Sequence, residues 1–568
     1  MNGDNEASSV PWEHFQKWLH SIAVVTFDLE LGQALEIIYP GDADLSSIEK
    51  ANICYLAFPD SNFGSAQDVP YHFRIRRTSP KIGPHHMLVL ENSSVSLPLD
   101  ASYLYGFVQF RQHKDPSIKR GYYQKSVVLL TPFPFFSLWN CVAAKIASGY
   151  FELGEAAIEA ACHDLDQWPT PVPGTPLMLP LMGTVIQCRI PLRGDLPITG
   201  PSSYTKDDQT GPSIVLPSVS EVDIYRSLSK VLVHVQLMWE LVLLGEPLLV
   251  VAQTPTRCSS MVQSLVSLIC PLRLLSDFRP YFTIHDSEFR EYSARARNLP
   301  AVILGVTNPF FIKALPHWPH ILKVEEDRAS EGPEKQTEKN KHWDGKSLDA
   351  KPGLYTQYKP FLGRDKALIK KLLKGTRPDE VCSALLRRHF LELTQSFMIP
   401  LERHLSSLMP LRKTMSPFKS IPHPRPFVLD DFLVTLEAAG PSLTCGIKGD
   451  WSGLYRRFVS TRTFAGWLSQ RNSDIAKQIK MAYIEELCQA DLGASVLASR
   501  HHAEIVDLVL RMRLIAVQLP TRHERRVGVI RQIAAVISRV DEELRGVLMS
   551  NCALRELLDN SREIVHSI

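Results

Sequence analysis

Four groupings of residues have the types that catalysis, nucleotide binding or metal binding would use. A phosphate-cradling loop needs glycines at fixed spacing followed by Lys and Ser or Thr. Gly194 and Gly200 stand one residue too far apart for that, and Pro201 occupies the lysine's place. Gly449-Asp450-Trp451-Ser452-Gly453 has the flanking glycines of a nucleophile elbow, with tryptophan where the nucleophile belongs. His317 and His320 are three apart, but Pro316 and Pro319 prevent a helix from presenting both to a metal, so they read as loop histidines. Asp286 and Glu288 flank Ser287. Two carboxylates so close can share acid–base work, yet a cap and first-turn pair needs the same residues for a structural reason. The expectation is a chain without catalytic residues, metal or cofactor, one that works by gripping another protein.

Two further kinds of cluster suit binding. Arg387-Arg388-His389 and Arg522-His523-Glu524-Arg525-Arg526 are basic, but consecutive residues on a helix point different ways, so solvated faces account for most of that charge. Phe278-Arg279-Pro280-Tyr281-Phe282, Asn308-Pro309-Phe310-Phe311 and His317-Trp318-Pro319-His320 combine aromatics with proline. Packed loops are the default for such runs. They flank apolar strand-like segments, however, and loops at strand ends are where α/β proteins place binding sites.

The elements that position these residues are legible in outline. With 568 residues, 45% hydrophobic and 22% charged, the chain is long enough for about three or four domains. A net charge of +3 gives no field that argues for nucleic acid or an anionic membrane. Ten scattered cysteines without a Cys-x-x-Cys pair point to free thiols in a reducing compartment. Met1 to Ser9 has the composition of a polar tail rather than a signal peptide.

Ile22–Phe27 and Ala34–Tyr39 form a predicted hairpin, followed by a helix over Leu45–Phe58 and a strand over His72–Arg76. Long strands over Tyr103–Phe110 and Tyr122–Leu130 and a helix over Phe133–Ile146 complete a ββαβββα order. Prolines between Trp168 and Gly211 mark a bridging segment with one or two short strands, such as Thr184–Ile190. Ser218 and Glu221 fit a capping box, and Leu228, Val231, Val235, Met238 and Val242 repeat at the spacing of one buried helical face. Strands at Pro247–Ala252, Tyr281–Ile284 and Ala301–Val306 alternate with a helix over Ser260–Ile269, the pattern of a parallel or mixed sheet covered on both faces. Glu325–Ala350 has a disordered composition, and nearly everything after it is helical, with Pro400 expected to kink or break the helix over Val381–Met409.

At these segments the sequence resembles the DENN-domain proteins. The carriers are Trp239-Glu240-Leu241 through Leu244-Gly245-Glu246-Pro247-Leu248, then Pro271-Leu272, Phe278-Arg279-Pro280-Tyr281-Phe282 and Ile303-Leu304-Gly305-Val306-Thr307-Asn308-Pro309. Phe27-Asp28-Leu29-Glu30 and Ile38-Tyr39-Pro40 are similar to the family's first hairpin, and Tyr123 to Leu129 to its last upstream strand. Asp223-Ile224-Tyr225, Tyr281 through Phe289 and Lys448-Gly449-Asp450-Trp451 are similar to the sixth subfamily in particular. The resemblance implies an α/β chain divided into a tail at 1–10, a longin-like upstream module at 11–168, a bridging segment at 169–212 and a central module at 213–324. A linker at 325–350, a helical downstream module at 351–480 and a helical end at 481–568 complete it.

The resemblance further implies a guanine-nucleotide exchange factor for a Rab GTPase in endosomal recycling, Rab fourteen being the first candidate. The Rab would be bound by the first two modules, in the cytoplasm and at recycling endosomes. Neither nucleic acid nor direct membrane insertion is expected, and membrane association would come through the partner at most. The alternative is a longin-bearing trafficking adaptor that binds GTPases without exchange. Interfaces favour aromatic and arginine anchors. By residue type and place, Arg279, Tyr281, Asp286 and Asn308 at the ends of central strands, with Leu35 and Tyr39 in the second strand, are the candidate partner-binding residues.

Overall fold

A computed structural model describes residues 12–561, apart from 29, 31, 61–67, 80–82, 95–96, 98, 117–120, 196–212, 295–298, 325–351, 375–376, 413–414 and 521–522. The expected tail and the expected linker lie outside the described residues. The chain forms two compact units, residues 1–398 with 440–465, and residues 399–439 with 466–568.

The first unit opens with α1 (Phe15–Trp18), β1 (Ser21–Asp28), β2 (Gly32–Tyr39), α2 (Ser47–Leu56), β3 (Val69–Arg76) and α3 (Pro84–Asn92). It continues with β4 (Tyr103–Lys114), β5 (Tyr122–Thr131), α4 (Phe136–Leu153) and α5 (Glu155–Asp166). The five strands pair antiparallel in the order β2-β1-β5-β4-β3. Side chains alternate along a strand, so one face carries Val25, Tyr71, Phe73, Ile75, Val108 and Val128, which pack with Ile53 and Leu56 of α2. The other face lies under α4. The predicted elements are all present, while α1, α3 and α5 are additional. α3 starts at Pro84 as its first residue, where a missing N–H costs nothing.

A small sheet follows, of β6 (Pro176–Leu181) and β7 (Thr184–Arg189), which fall in the expected bridging segment, and β8 (Ser213–Val215), which lies just beyond it. Pro176 and Pro180 sit at exposed positions of β6, which is an outer strand in the order β6-β7-β8. That placement lets prolines join a sheet without leaving ladder bonds unmade.

The central sheet has the order β10-β11-β9-β12-β13. Its strands are β9 (Leu248–Val251), β10 (Asp277–Arg279), β11 (Val302–Val306), β12 (His320–Lys323) and β13 (Gly353–Thr356), and only β13 runs antiparallel to its neighbour. The helices interleaved with them are α6 (Ile224–Leu228), α7 (Val235–Leu243), α8 (Pro255–Ser267), α9 (Phe289–Ser293) and α10 (Phe310–Ala314).

Several expectations are corrected here. No helix runs from Ser218: Asp223 caps α6 by accepting from the Arg226 N–H at 3.1 Å, and a 3-10 turn over Ser229–His234 separates α6 from α7. α7 is buried all round rather than on one face, because other elements cover it on every side. The strand expected at Tyr281–Ile284 lies instead at β10, ending before Pro280, which has no N–H to extend a ladder. His320 is not in a loop. It is buried in β12, with Nδ1 2.7 Å from the Thr356 hydroxyl. β13 brings residues beyond 350 into the central sheet, so the stretch after the expected linker does not begin helical. α11 (Lys366–Leu373) and α12 (Asp379–Ser407) follow, and α12 continues through Pro400 instead of breaking there.

The second unit, taken by itself, is built on helices that include His502–Gln518, Glu524–Arg539 and Glu542–Ser550. They close on a core of Ile484, Leu508, Val509, Met512, Val529 and Ile533.

One buried group makes the first unit acid-sensitive. His72 of β3 is wedged against Phe136, with ring centroids 4.8 Å apart, and its Nε2 is buried without a hydrogen-bond partner. Burial pulls its pKa down to about 3. The folded chain therefore refuses a proton that the unfolded chain takes up below its ordinary value near 6.5, so stability falls as pH drops below about 6.5. At pH 5 the expected cost is about 2 kcal/mol from this residue. His72→Phe should lose about 2 kcal/mol less between pH 7.5 and pH 5, read as the shift in urea midpoint times its slope.

Candidate protein-interaction face

β3 is an outer strand of the first sheet, and such strands present unpaired backbone groups. Here the central module supplies the partners. Thr256 of α8 donates to the Pro70 carbonyl at 2.6 Å, and Arg279 of β10 donates to the Arg74 carbonyl at 3.1 Å. Two residues of β3 add side chains to the seam. Arg74 donates to Asp277 Oδ1 at 3.0 Å and lies over the Tyr103 and Phe278 rings, 3.4 and 4.1 Å from their centroids. Arg76 pairs with Glu288 at 3.2 Å.

Arg279 is the centre of this knot. It is 1% exposed, donates to Asp277 Oδ2 at 3.1 Å and is hydrogen-bonded to Glu288. Burial opposes the charge on Arg279, but Asp277, Tyr292, Glu288 and Asp286 more than offset it and raise its pKa. Burial likewise works against the Asp277 carboxylate. The Arg279 and Arg74 guanidiniums outweigh that penalty and hold Asp277 below the usual carboxylate range. Burial pushes the Asp286 and Glu288 carboxyls up.

Tyr281 is wholly buried. Its ring meets Tyr71 at 5.2 Å, its hydroxyl donates to the Phe58 carbonyl at 3.2 Å, and it accepts from the Asp60 N–H at 2.8 Å. Gly305 allows this chain path: a Cβ there would stand 2.3 Å from the Pro280 carbonyl oxygen.

Above the knot, α2 and the turn over residues 283–289 meet at the surface. Asn52 donates to the Ser287 hydroxyl at 3.1 Å and accepts from the Ser287 N–H at 3.3 Å. Tyr55 stacks on the exposed ring of His285 at 4.8 Å. The first and central modules thus share one contiguous surface within the first unit.

The candidate residues divide between inside and outside. Arg279 and Tyr281 are buried and their side chains are spent on joining the two sheets, whereas the buried Asp286 stays within the central part, accepting from the Glu288 N–H at 2.9 Å. Leu35 and Tyr39 lie half-buried on β2, the outer strand at the opposite end of the sheet. The Tyr39 hydroxyl donates to Glu155 at 2.6 Å and reaches Glu159 at 3.3 Å. Burial first, then these carboxylates, raise its pKa. Asn308 is half-buried and accepts from the Phe310 N–H at 2.9 Å, and the Phe310 ring stands 51% exposed. Asn52, Tyr55, Arg74, His285 and Ser287, which build the seam and its surface, were not among the residues chosen from sequence.

Among the described residues, no group of three or more His, Cys, Asp or Glu is placed to hold a metal, and no helix is long and apolar enough to cross a membrane.

Comparison with known proteins returns one family throughout. Residues 492–551 match the model of the DENND6 C-terminal domain. The chain is 47% identical to the mouse protein DENND6A over 560 residues, covering 96% of this chain and 92% of that one. It is 48% identical to human DENND6B, covering 95% and 94%, and 32% identical to the DENND6 homolog of Dictyostelium discoideum, covering 88% and 76%.

Proposed function

Because the chain belongs to the DENND6 family of DENN-domain proteins, we propose that it is a guanine-nucleotide exchange factor for a Rab GTPase. In this reading the first module is longin-like, and the Rab is of the endosomal-recycling group, Rab fourteen first. The protein acts in the cytoplasm and on the surface of recycling endosomes. The observation that carries the reading is the contiguous surface of α2 and the 283–289 turn, locked from below by Arg279, Asp277 and Arg74.

Exchange requires no covalent step. A Rab holds its nucleotide through a phosphate loop, Mg²⁺ and ordered switch loops. A rigid surface that fits the emptied switch conformation better than the filled one must weaken nucleotide by the same factor. Accelerating release about 10³-fold takes about 4 kcal/mol of differential stabilisation. Rigidity matters because a surface that can follow both switch conformations discriminates neither. Two sheets joined through buried side chains supply it.

The test is a panel of purified Rabs loaded with fluorescent GDP. One Rab or a few related endosomal Rabs should release nucleotide faster in the presence of the full chain. Binding of several Rabs with no change in release would replace exchange with the adaptor reading.

A further inference from the structure

We propose that α11 is a direct docking site for anionic membrane surfaces. The helix is short and lightly packed: of its eight residues only Leu372 is buried, with Leu368 and Ile369 half-buried beside it. At 100° per residue, Lys366, Lys370, Leu373 and Lys374 fall on one outward stripe, flanked by Lys371. All four lysines are exposed and Leu373 is 48% exposed. Among the described residues no carboxylate lies within 4.0 Å of any of these four lysines. The nearest acid in sequence, Asp365, is engaged elsewhere. It caps the helix by accepting from the Ala367 and Leu368 N–H groups at 2.9 and 3.0 Å, and it pairs with His389 at 3.9 Å.

The helix is also fixed in place. Gln236 of α7 accepts from the Asp365 N–H at 2.8 Å, and the Tyr225 hydroxyl donates to the Leu372 carbonyl at 3.4 Å. The arrangement is therefore a supported row of ammonium groups with an apolar side chain in it. Helix C-termini favour lysine for dipole reasons alone, but one or two residues satisfy that, and the last of these four lies beyond the helix. Lysines whose stems lie along a surface while their heads meet phosphate, with a leucine entering among them, are what an interfacial lipid contact requires. An anionic bilayer is the occupant that fits, since it offers many negative groups in a plane and an apolar layer beneath. Such contact is weak, about fivefold in partitioning per lysine, and screened by salt. This inference does not depend on the exchange reading, and it differs from the sequence-based expectation that membranes are reached only through the partner.

Flotation of the full chain with vesicles tests it. The chain should rise with vesicles of phosphatidylcholine containing phosphatidylserine at low salt, remain below with pure phosphatidylcholine, and be released at high salt. K370A/K371A/K374A should lower partitioning by about 100-fold with an unchanged melting temperature, whereas the equal charge change in K50A/K313A/K448A should leave most of the binding. Failure of the wild-type chain to float on the anionic vesicles, or equal loss in both triple variants, would overturn the proposal.

Discussion

Arg279→Ala is expected to destabilise the first unit by about 3–5 kcal/mol, the cost of breaking a buried network of ion pairs by removing its central partner. The substitution takes one of the two buried guanidiniums from Asp277, which keeps Arg74 at 3.0 Å, deprives Glu288 of its inner partner and leaves the Arg74 carbonyl without a donor. Arg279→Lys should recover only part of this, because an ammonium cannot serve Asp277, Glu288 and the Arg74 carbonyl from one planar fork. The check is urea unfolding followed at the tryptophans, with the midpoint of the first transition compared among the three proteins. A loss under 1 kcal/mol in Arg279→Ala would mean that water replaces the guanidinium without penalty and that the seam is not dry. Because the joined modules are also the proposed Rab surface, exchange should fall in Arg279→Ala more than in a variant of equal stability altered elsewhere.

The second large effect is expected at Glu240. This carboxylate is fully buried on α7 and accepts from the Phe361 and Leu362 N–H groups at 2.9 and 3.0 Å and from the Tyr358 hydroxyl at 3.1 Å. Burial raises its pKa, and the three donors pull it back part of the way. Removing the acceptor orphans the buried Leu362 N–H, the part-buried Phe361 N–H and a phenol, and hydrogen bonds to a charged group are worth about 1.5–3 kcal/mol each. Glu240→Ala should therefore cost about 4 kcal/mol or more. Glu240→Gln should also destabilise, since its amide places N–H against N–H on one side. The measurement is again the urea midpoint. Hydrogen exchange should further show the 358–362 segment losing protection before the central strands do.

Much of the fold was legible because the periodic segments are long. The β1–β2 hairpin, β4, β5, α2 and α4 all stand where apolar alternation or helical spacing puts them. The misses have physical causes. His72-Phe73-Arg74-Ile75-Arg76 reads as a strand, but its alternation does not show that His72 is buried against Phe136 of α4 and Arg74 between Tyr103 and Phe278. Alternation records which residues differ, not what lies over them. The Ser218–Glu221 pattern suggested a cap that is not used, whereas Ser46 and Glu49 form a true capping box from the same spacing. Glu49 also accepts from the Thr78 N–H at 2.8 Å, anchoring α2 to the chain beyond β3.

The face itself was half visible. The cluster Phe278–Phe282 stands out in the sequence as a candidate for binding, but its arginine and tyrosine turn inward, and burial of that kind is set by partners more than 200 residues away in sequence. Tyr55 and His285 carry no local signal, since their meaning arises only when α2 and the 283–289 turn meet. The last hundred residues offered the least distinctive sequence, yet residues 492–551 match the family model. Helical cores such as that of Leu508, Met512 and Ile533 preserve pattern more than recognisable words.

The decisive measurement is the rate of GDP release from the responding Rab, with the full chain present at a small fraction of the Rab concentration. If the joined surface favours the emptied GTPase, release accelerates about 10³-fold with repeated turnover, and Tyr55→Ala with His285→Ala removes most of that gain at unchanged stability. Unaltered GDP release by a Rab that nonetheless binds the chain would contradict the account.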